Sequence, residues 1–309
     1  MRYIEFGTAK AKVSEVVLGC MRIGGKTGQE AVTILESALE ADINAVDTAP
    51  IYGPSEGIIG DAFELQPGLR DRVWLQTKLG IRHNDEPSFN YFDFSYEHIM
   101  ESVDNSLRAL KTDHVDSLLL HRPDLLMIPE DIARAFEELR ASGKVLDFGV
   151  SNQNPAQVAM IQHYLPFPLA ANQVQLSCAF TPAFDAAFHV NMEDSAATMR
   201  DGGVFEDAYV RGMAVQAWSV MQKGYFGGVF LGDPDYQELN DALARVAEVH
   251  DSTPTAVAIA WVLRHPAKMQ AIIGTMRPER IAESARACDF ELTREEWYEI
   301  YLAGGRQLP

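Results

Sequence analysis

A closed (β/α)8 barrel is the fold class this sequence predicts, and two observations predict it. Eight short apolar runs alternate with amphipathic helical segments along the 309-residue chain. Each run is nearly all apolar, as expected of a parallel strand covered by helices. Eight βα units in about this length close a barrel; a doubly wound open sheet is the runner-up.

The runs are Val16–Gly19, Ala45–Asp47, Val73–Lys78, Ser117–His121, Val145–Val150, Ala171–Gln175, Ala214–Trp218 and Ala271–Ile273. Helices between them show apolar residues three and four apart, such as Ala31, Ile34, Leu35 and Ala38, or Ile132, Ala135, Phe136 and Leu139. Ser95 has the chemistry of an N-cap and Gly143 that of a C′ residue. Tyr3–Phe6 and Lys12–Ser14 are expected to form a hairpin ahead of the barrel. Pro254–His265 reads as an additional helix and Thr293–Leu302 as a C-terminal one. No linker divides the chain, so a single domain over residues 1–309 is expected.

Composition excludes some function classes. Lys+Arg 26 against Asp+Glu 44 gives a net charge of −18, which repels nucleic acid and anionic membranes. Cys20, Cys178 and Cys288 are far apart, and neither a disulfide framework nor a zinc knuckle is indicated. The histidines lack metal-ligand spacing, so no metal is expected. The N-terminus lacks the apolar stretch of a signal peptide and no segment reads as a membrane span, which favours a cytoplasmic location. Gly19–Thr27 has one residue too many for a P-loop, and no Gly-x-Gly-x-x-Gly marks a Rossmann site.

In such a barrel the C-terminal ends of the strands share one rim, where active sites are built. Asp47, Lys78 and His121 close the second, third and fourth runs; Ser151 and Asn152 follow the fifth, Gln173 lies in the sixth, Trp218 and Ser219 end the seventh, and Gly274 and Thr275 end the eighth. Tyr52 follows Asp47 across a turn containing Pro50. A phenol can donate a proton if a nearby cation stabilises the phenolate left behind, and Lys78 could supply that cation, with a carboxylate to orient it. Taken singly, each residue has a bland reading as a cap, a surface ion pair or packing. Their gathering at one rim favours a site, because burying so many polar groups without use is costly.

The segments Asp47-Thr48-Ala49-Pro50-Ile51-Tyr52-Gly53, Gln76-Thr77-Lys78, Leu119-Leu120-His121-Arg122-Pro123-Asp124, Gly149-Val150-Ser151-Asn152 and Asn172-Gln173-Val174-Gln175 resemble the aldo-keto reductase superfamily, in order and over essentially the whole chain. The resemblance implies NADPH-dependent reduction of an aldehyde or ketone. It casts Tyr52 as general acid, Lys78 as the group lowering its pKa, Asp47 as the support of Lys78, and His121 as the group orienting the carbonyl. It also implies an NADP(H) site in which Ser151, Asn152 and Gln173 hold the nicotinamide carboxamide and Trp218 stacks on the ring. The resemblance implies Met21, Arg22, Asp47 and Ser219 as further contacts, Thr275 and Arg280 around the 2′-phosphate, Ser284 at the adenine, and Gly274 and Glu283 in the same cofactor site. The chain departs from the family pattern at Gly274, a lysine in the best-known mammalian members, at Ser284, an Asn in many members, and in the loop Ser219–Gly224.

The implied partner is a small-molecule carbonyl substrate, with the chain a monomer or weak homo-oligomer. Aromatic residues in three loops, Phe89, Tyr91, Phe92 and Phe94, then Phe180, Phe184 and Phe188, then Tyr225, Phe226 and Phe230, either line an apolar mouth or pack the loops onto the barrel. Two rival functions are a Schiff-base lyase with Lys78 as nucleophile and a cofactor-binding regulatory subunit like the potassium-channel β-subunits that resemble this family.

Overall fold

The computed structural model describes residues 1–309. An antiparallel hairpin, β1 (Tyr3–Phe6) and β2 (Ala11–Ser14), precedes the first barrel strand, β3 (Val16–Gly19). There follow α1 (Gly28–Glu40), β4 (Ala45–Asp47), α2 (Ser55–Leu65) and β5 (Trp74–Leu79). A second hairpin, β6 (Ile81–Asn84) and β7 (Phe89–Phe92), leads to α3 (Tyr96–Leu110), β8 (Val115–Leu120), α4 (Pro129–Ala141), β9 (Val145–Ser151), α5 (Pro155–Gln162) and β10 (Ala171–Gln175). Helices α6 (Pro182–Phe188) and α7 (Val204–Arg211) separate β10 from β11 (Ala214–Trp218). Helices α8 (Gln237–Val249) and α9 (Pro254–Leu263) precede β12 (Lys268–Ile273), and α10 (Pro278–Ala285) and α11 (Arg294–Ala303) end the chain.

Strands β3, β4, β5, β8, β9, β10, β11 and β12 close into one parallel barrel, with β12 pairing back onto β3. All eight expected strands are present and the open-sheet alternative is excluded. Three bounds move. His121 falls one residue beyond β8, although its N–H still bonds Leu79 O at 2.9 Å. Lys78 is followed by one more strand residue, and β12 starts at Lys268 because Lys268–Gln270 pair with Ala214–Gln216. The Ser95 hydroxyl accepts from His98 N–H, capping α3, and Gly143 takes φ +75° after α4. No helix is long and apolar enough to cross a membrane.

Side chains alternate between the two faces of each strand, and this sorts the interior. Residues on the outer face, such as Val46, Leu75, Val215, Met269 and Ile273, join the core under the helices. Ala45, Trp74, Leu119, Ala171, Ala214 and Ile272 point inward and form a separate cluster with Phe6 and Val13 of the hairpin. Phe6 meets Trp74 edge-on, with ring centroids 4.6 Å apart. The hairpin therefore plugs the N-terminal end of the barrel. Further along the same inward rows stand Gln76 then Lys78, Gln173 then Gln175, and Gln216 then Trp218.

Candidate active site

Above the apolar plug lies a layer of buried carboxamides. Strand register sets Gln173 beside Gln216, Gln216 beside Gln270, and Asp47 beside Gln76. Gln216 Nε2 donates to Gln270 Oε1 at 3.0 Å and to Gln76 Oε1 at 3.1 Å, and its own Oε1 accepts from Gln76 Nε2 (2.9 Å) and Gln173 Nε2 (3.1 Å). Asp47 Oδ1 accepts from Gln76 Nε2 at 2.7 Å and Gln173 Nε2 at 3.0 Å. Two N–H donors on one oxygen fix the orientation of the carboxylate.

Its other oxygen meets Lys78. Nζ donates to Asp47 Oδ2 at 2.6 Å and to Thr48 O at 2.9 Å, with the two charged side chains 0% and 4% exposed. Burial disfavours the ammonium, but Asp47 and then Tyr52 outweigh it, and the lysine pKa lies above its usual value. This is the opposite of what a Schiff-base nucleophile needs, since that role requires a neutral amine.

Tyr52 follows β4 in a short turn, Pro50–Tyr52, and lies half-buried with Lys78 Nζ 5.0 Å from its ring centroid. Its Oη stands 3.5 Å from His121 Nε2, and the two rings cross at 85°. Lys78 does pull the phenol pKa down, but burial is the larger influence and the net direction is up. Burial first, then Lys78 and Arg122, hold His121 well below its ordinary pKa, so the imidazole is neutral near pH 7. The phenol, ammonium, imidazole and carboxylate thus share one spot at the C-terminal rim.

A second group adjoins them. Ser151 Oγ donates to Gln173 O at 2.9 Å, Asn152 Nδ2 donates to Ser151 Oγ at 2.8 Å, and Trp218 Nε1 donates to Asn152 Oδ1 at 3.1 Å. Asn152 and Ser219 both take positive φ, +55° and +57°, at the turns leaving β9 and β11. Met21 and Arg22 are exposed in the turn after β3. Gly274 is exposed after β12, and Thr275 Oγ1 accepts from Arg277 N–H at 3.3 Å. Arg280 is exposed near the start of α10, Glu283 is half-buried, and Ser284 is buried with its hydroxyl donating to Arg280 O at 2.7 Å. The loop aromatics divide: Phe94, Phe184 and Phe230 are buried, whereas Tyr225 and Phe226 are 65% and 62% exposed and Phe89 and Phe92 are exposed in the β6–β7 hairpin.

Gln76, Gln216, Gln270 and the Thr48 carbonyl were missed by sequence reasoning, although a glutamine inside three of the eight runs, and one just ahead of the last, was the available signal. Arg122, which follows His121 directly, and Arg277, two residues beyond Thr275, were also given no role. No group of three or more His, Cys, Asp or Glu side chains is placed to hold a metal ion.

The model of the aldo/keto reductase family matches residues 15–302. Oxidoreductase YdhF of Escherichia coli (strain K12) is 36% identical over 297 residues, covering 94% of this chain and 93% of the relative. A 6-dehydroglucose reductase of Agrobacterium fabrum is 36% identical over 310 residues, covering 97% of each. The solved aldo/keto reductase from Klebsiella pneumoniae, in complex with NADP and acetate, shares the fold at a TM-score of 0.73 and 24% identity, over 97% of this chain and 94% of that one. The chain belongs to the aldo/keto reductase family and is an oxidoreductase.

Proposed function

We propose that this protein reduces aldehydes or ketones to alcohols with NADPH, and that Tyr52 is the proton donor. The observation that carries the reading is the single buried cluster in which Asp47 holds Lys78 at 2.6 Å, Lys78 lies beside Tyr52, and Tyr52 faces His121 at 3.5 Å.

The residues present fit a dinucleotide. Ser151, Asn152, Gln173 and Trp218 offer amide-matching donors and acceptors together with an indole face, and Gln175 Nε2 is buried at the same strand end without a partner. The N-cap residue of α10, Arg277, makes no side-chain capping bond, and neither Arg277 nor Arg280 forms an ion pair. Helix N–H groups and free guanidiniums suit a phosphate, and an arginine there favours the 2′-phosphate of NADPH over NADH. When bound, the dinucleotide supplies hydride to the carbonyl carbon.

The protein's part is to manage the negative charge that develops on the carbonyl oxygen. Tyr52 delivers its proton to that oxygen, and Lys78, kept charged by Asp47, stabilises the phenolate left behind. Neutral His121 donates a second hydrogen bond and stays a donor across the neutral range. Because burial raises the Tyr52 pKa, the phenol remains protonated and available throughout that range. The 3.5 Å separation is long, as such contacts often are before substrate closes them.

The test follows NADPH oxidation with a panel of aldehydes, ketones and dicarbonyls, comparing wild type with Tyr52→Phe. The expected result is a turnover loss on the order of 100- to 10,000-fold, with NADPH quenching of tryptophan emission little changed. A Tyr52→Phe variant that reduces the same carbonyls at full rate overturns the assignment.

A further inference from the structure

One charge beside this cluster has no partner. Arg122 follows His121 directly and is half-buried, yet it forms no ion pair. Its guanidinium carbon lies 5.5 Å from the Trp218 ring centroid and 5.8 Å from that of Tyr225, and those two rings cross at 81°. The nearby carboxylate of Asp124 is committed elsewhere, accepting from Phe94 N–H at 3.0 Å and Leu126 N–H at 2.8 Å.

The surrounding charges leave Arg122 dominant. Asp47 and Lys78 cancel, His121 is neutral, and the buried Glu56 accepts from Thr77 Oγ1 at 2.6 Å, so Arg122 is the charge beside the cluster that no carboxylate pairs, on a protein whose overall charge is −18. Two aromatic rings flank the guanidinium without supplying a countercharge, although their faces offer weak cation–π attraction. A planar fork of N–H donors in that setting matches a carboxylate, which it can hold through two parallel bonds.

We infer that Arg122, framed by Trp218 and Tyr225, is a substrate subsite that selects carbonyl compounds bearing a carboxylate. The inference rests on the carbonyl reduction proposed above and names its substrate class. The bland alternative is that Arg122 only braces the Trp218 ring. That role makes no distinction between a charged substrate and its neutral twin.

A matched pair decides between them: 4-carboxybenzaldehyde and its methyl ester share ring and aldehyde and differ in charge. Wild type should show the higher kcat/KM for the acid. Arg122→Met should lower kcat/KM for the acid on the order of 10- to 100-fold, as expected for a lost charge-assisted contact, while the ester changes by less than about threefold. Arg122→Lys, which keeps the charge and loses the fork, should fall between. Calorimetric titration with 4-(hydroxymethyl)benzoate and its methyl ester reads the same preference without turnover, so the subsite is tested even if Tyr52 is not the proton donor. An acid-to-ester ratio near one in wild type, equal losses for both compounds in Arg122→Met, or calorimetry showing no preference for the anion overturns the inference. Tyr52→Phe run on the same pair separates the two readings. Undiminished turnover there sinks the proton-donor assignment alone, and an unchanged charge preference in Arg122→Met sinks the subsite alone.

Discussion

The buried pair of Asp47 and Lys78 permits a quantitative test. At 2.6 Å the gross attraction is about 6 kcal/mol for an effective dielectric of about 20. Part of this is offset by the desolvation of both ions, so the pair's net contribution is much smaller. Removing one partner is a different matter. Asp47→Asn keeps an oxygen to accept from Gln76 and Gln173 but turns an NH2 group toward Lys78, leaving the ammonium only the Thr48 carbonyl. Such a stranded charge should destabilise the fold by about 3–5 kcal/mol. Lys78→Met should cost less, because Asp47 keeps its two amide donors. The double variant removes both charges and should return to within about 2 kcal/mol of wild type.

The pH dependence has a sign of its own. In wild type the folded pKa of Lys78 is raised, so its stabilisation is complete below about pH 10.4 and is lost as pH rises through the folded value. In Asp47→Asn, burial acts without the carboxylate and the folded pKa falls below the unfolded one. The unfolded state then binds more protons, and the variant gains stability as pH rises toward about 10.4. Urea midpoints of wild type, both single variants and the double variant, measured at pH 7 and 9.5, check all of this. Single variants within about 1 kcal/mol of wild type, with additive effects, would refute the buried-pair argument.

Two further predictions concern stability away from the reacting groups. His265 packs on Phe184 and Phe205, and its Nδ1 accepts from Ala267 N–H at 3.2 Å; burial lowers its pKa from 6.5 to about 4. A depressed histidine pKa means stability that is complete above about pH 6.5 and is lost as pH falls toward 4. About 1–2 kcal/mol of that loss should disappear in His265→Gln after allowing for partial exposure, read as a flatter urea midpoint between pH 7 and 4.5. Gly60 lies inside α2, where an added Cβ would run into the main-chain carbonyl of Ala109 on α3. Gly60→Ala should therefore destabilise by about 1–3 kcal/mol despite alanine's better helix propensity, and an unchanged or raised melting temperature would contradict the close approach.

Much of the fold was legible because a buried parallel strand has a strong local signature. All eight barrel strands stand where apolar runs end against polar turns, and the helices with periods of three and four, such as Ala31 to Ala38, bury the residues expected. The β6–β7 hairpin was not legible: its tip, Asn84 to Ser88, is polar, and its strands pair only with each other. Nor was the start of β12, because Lys268 and Gln270 interrupt its apolar pattern and only pairing with β11 makes them strand.

The site was legible to the extent that chemistry at a strand end is local. Asp47, Lys78 and His121 could be placed at one rim from topology alone, and Tyr52 from its offset to Asp47. What holds them there could not, because a ring of side chains inside a barrel takes its members from different strands. Gln76, Gln173, Gln216 and Gln270 look like isolated polar intrusions until the register sets Gln173, Gln216 and Gln270 side by side and Gln76 reaches Gln216 across the barrel interior. The same reason hid the net balance of charge. Lys78 was recognisable as a cation, but that Asp47 neutralises it while Arg122 stays uncompensated is a matter of distances between elements far apart in the chain. The polarity of the barrel axis follows from stacking these rows, with an apolar plug around Phe6 and Trp74, then carboxamides, then the ion pair, and last the phenol, imidazole and guanidinium. Each step along the axis supplies partners for the one above, so the Asp47 carboxylate is oriented by amides rather than by water. That arrangement is what allows a fully buried lysine to remain charged next to Tyr52.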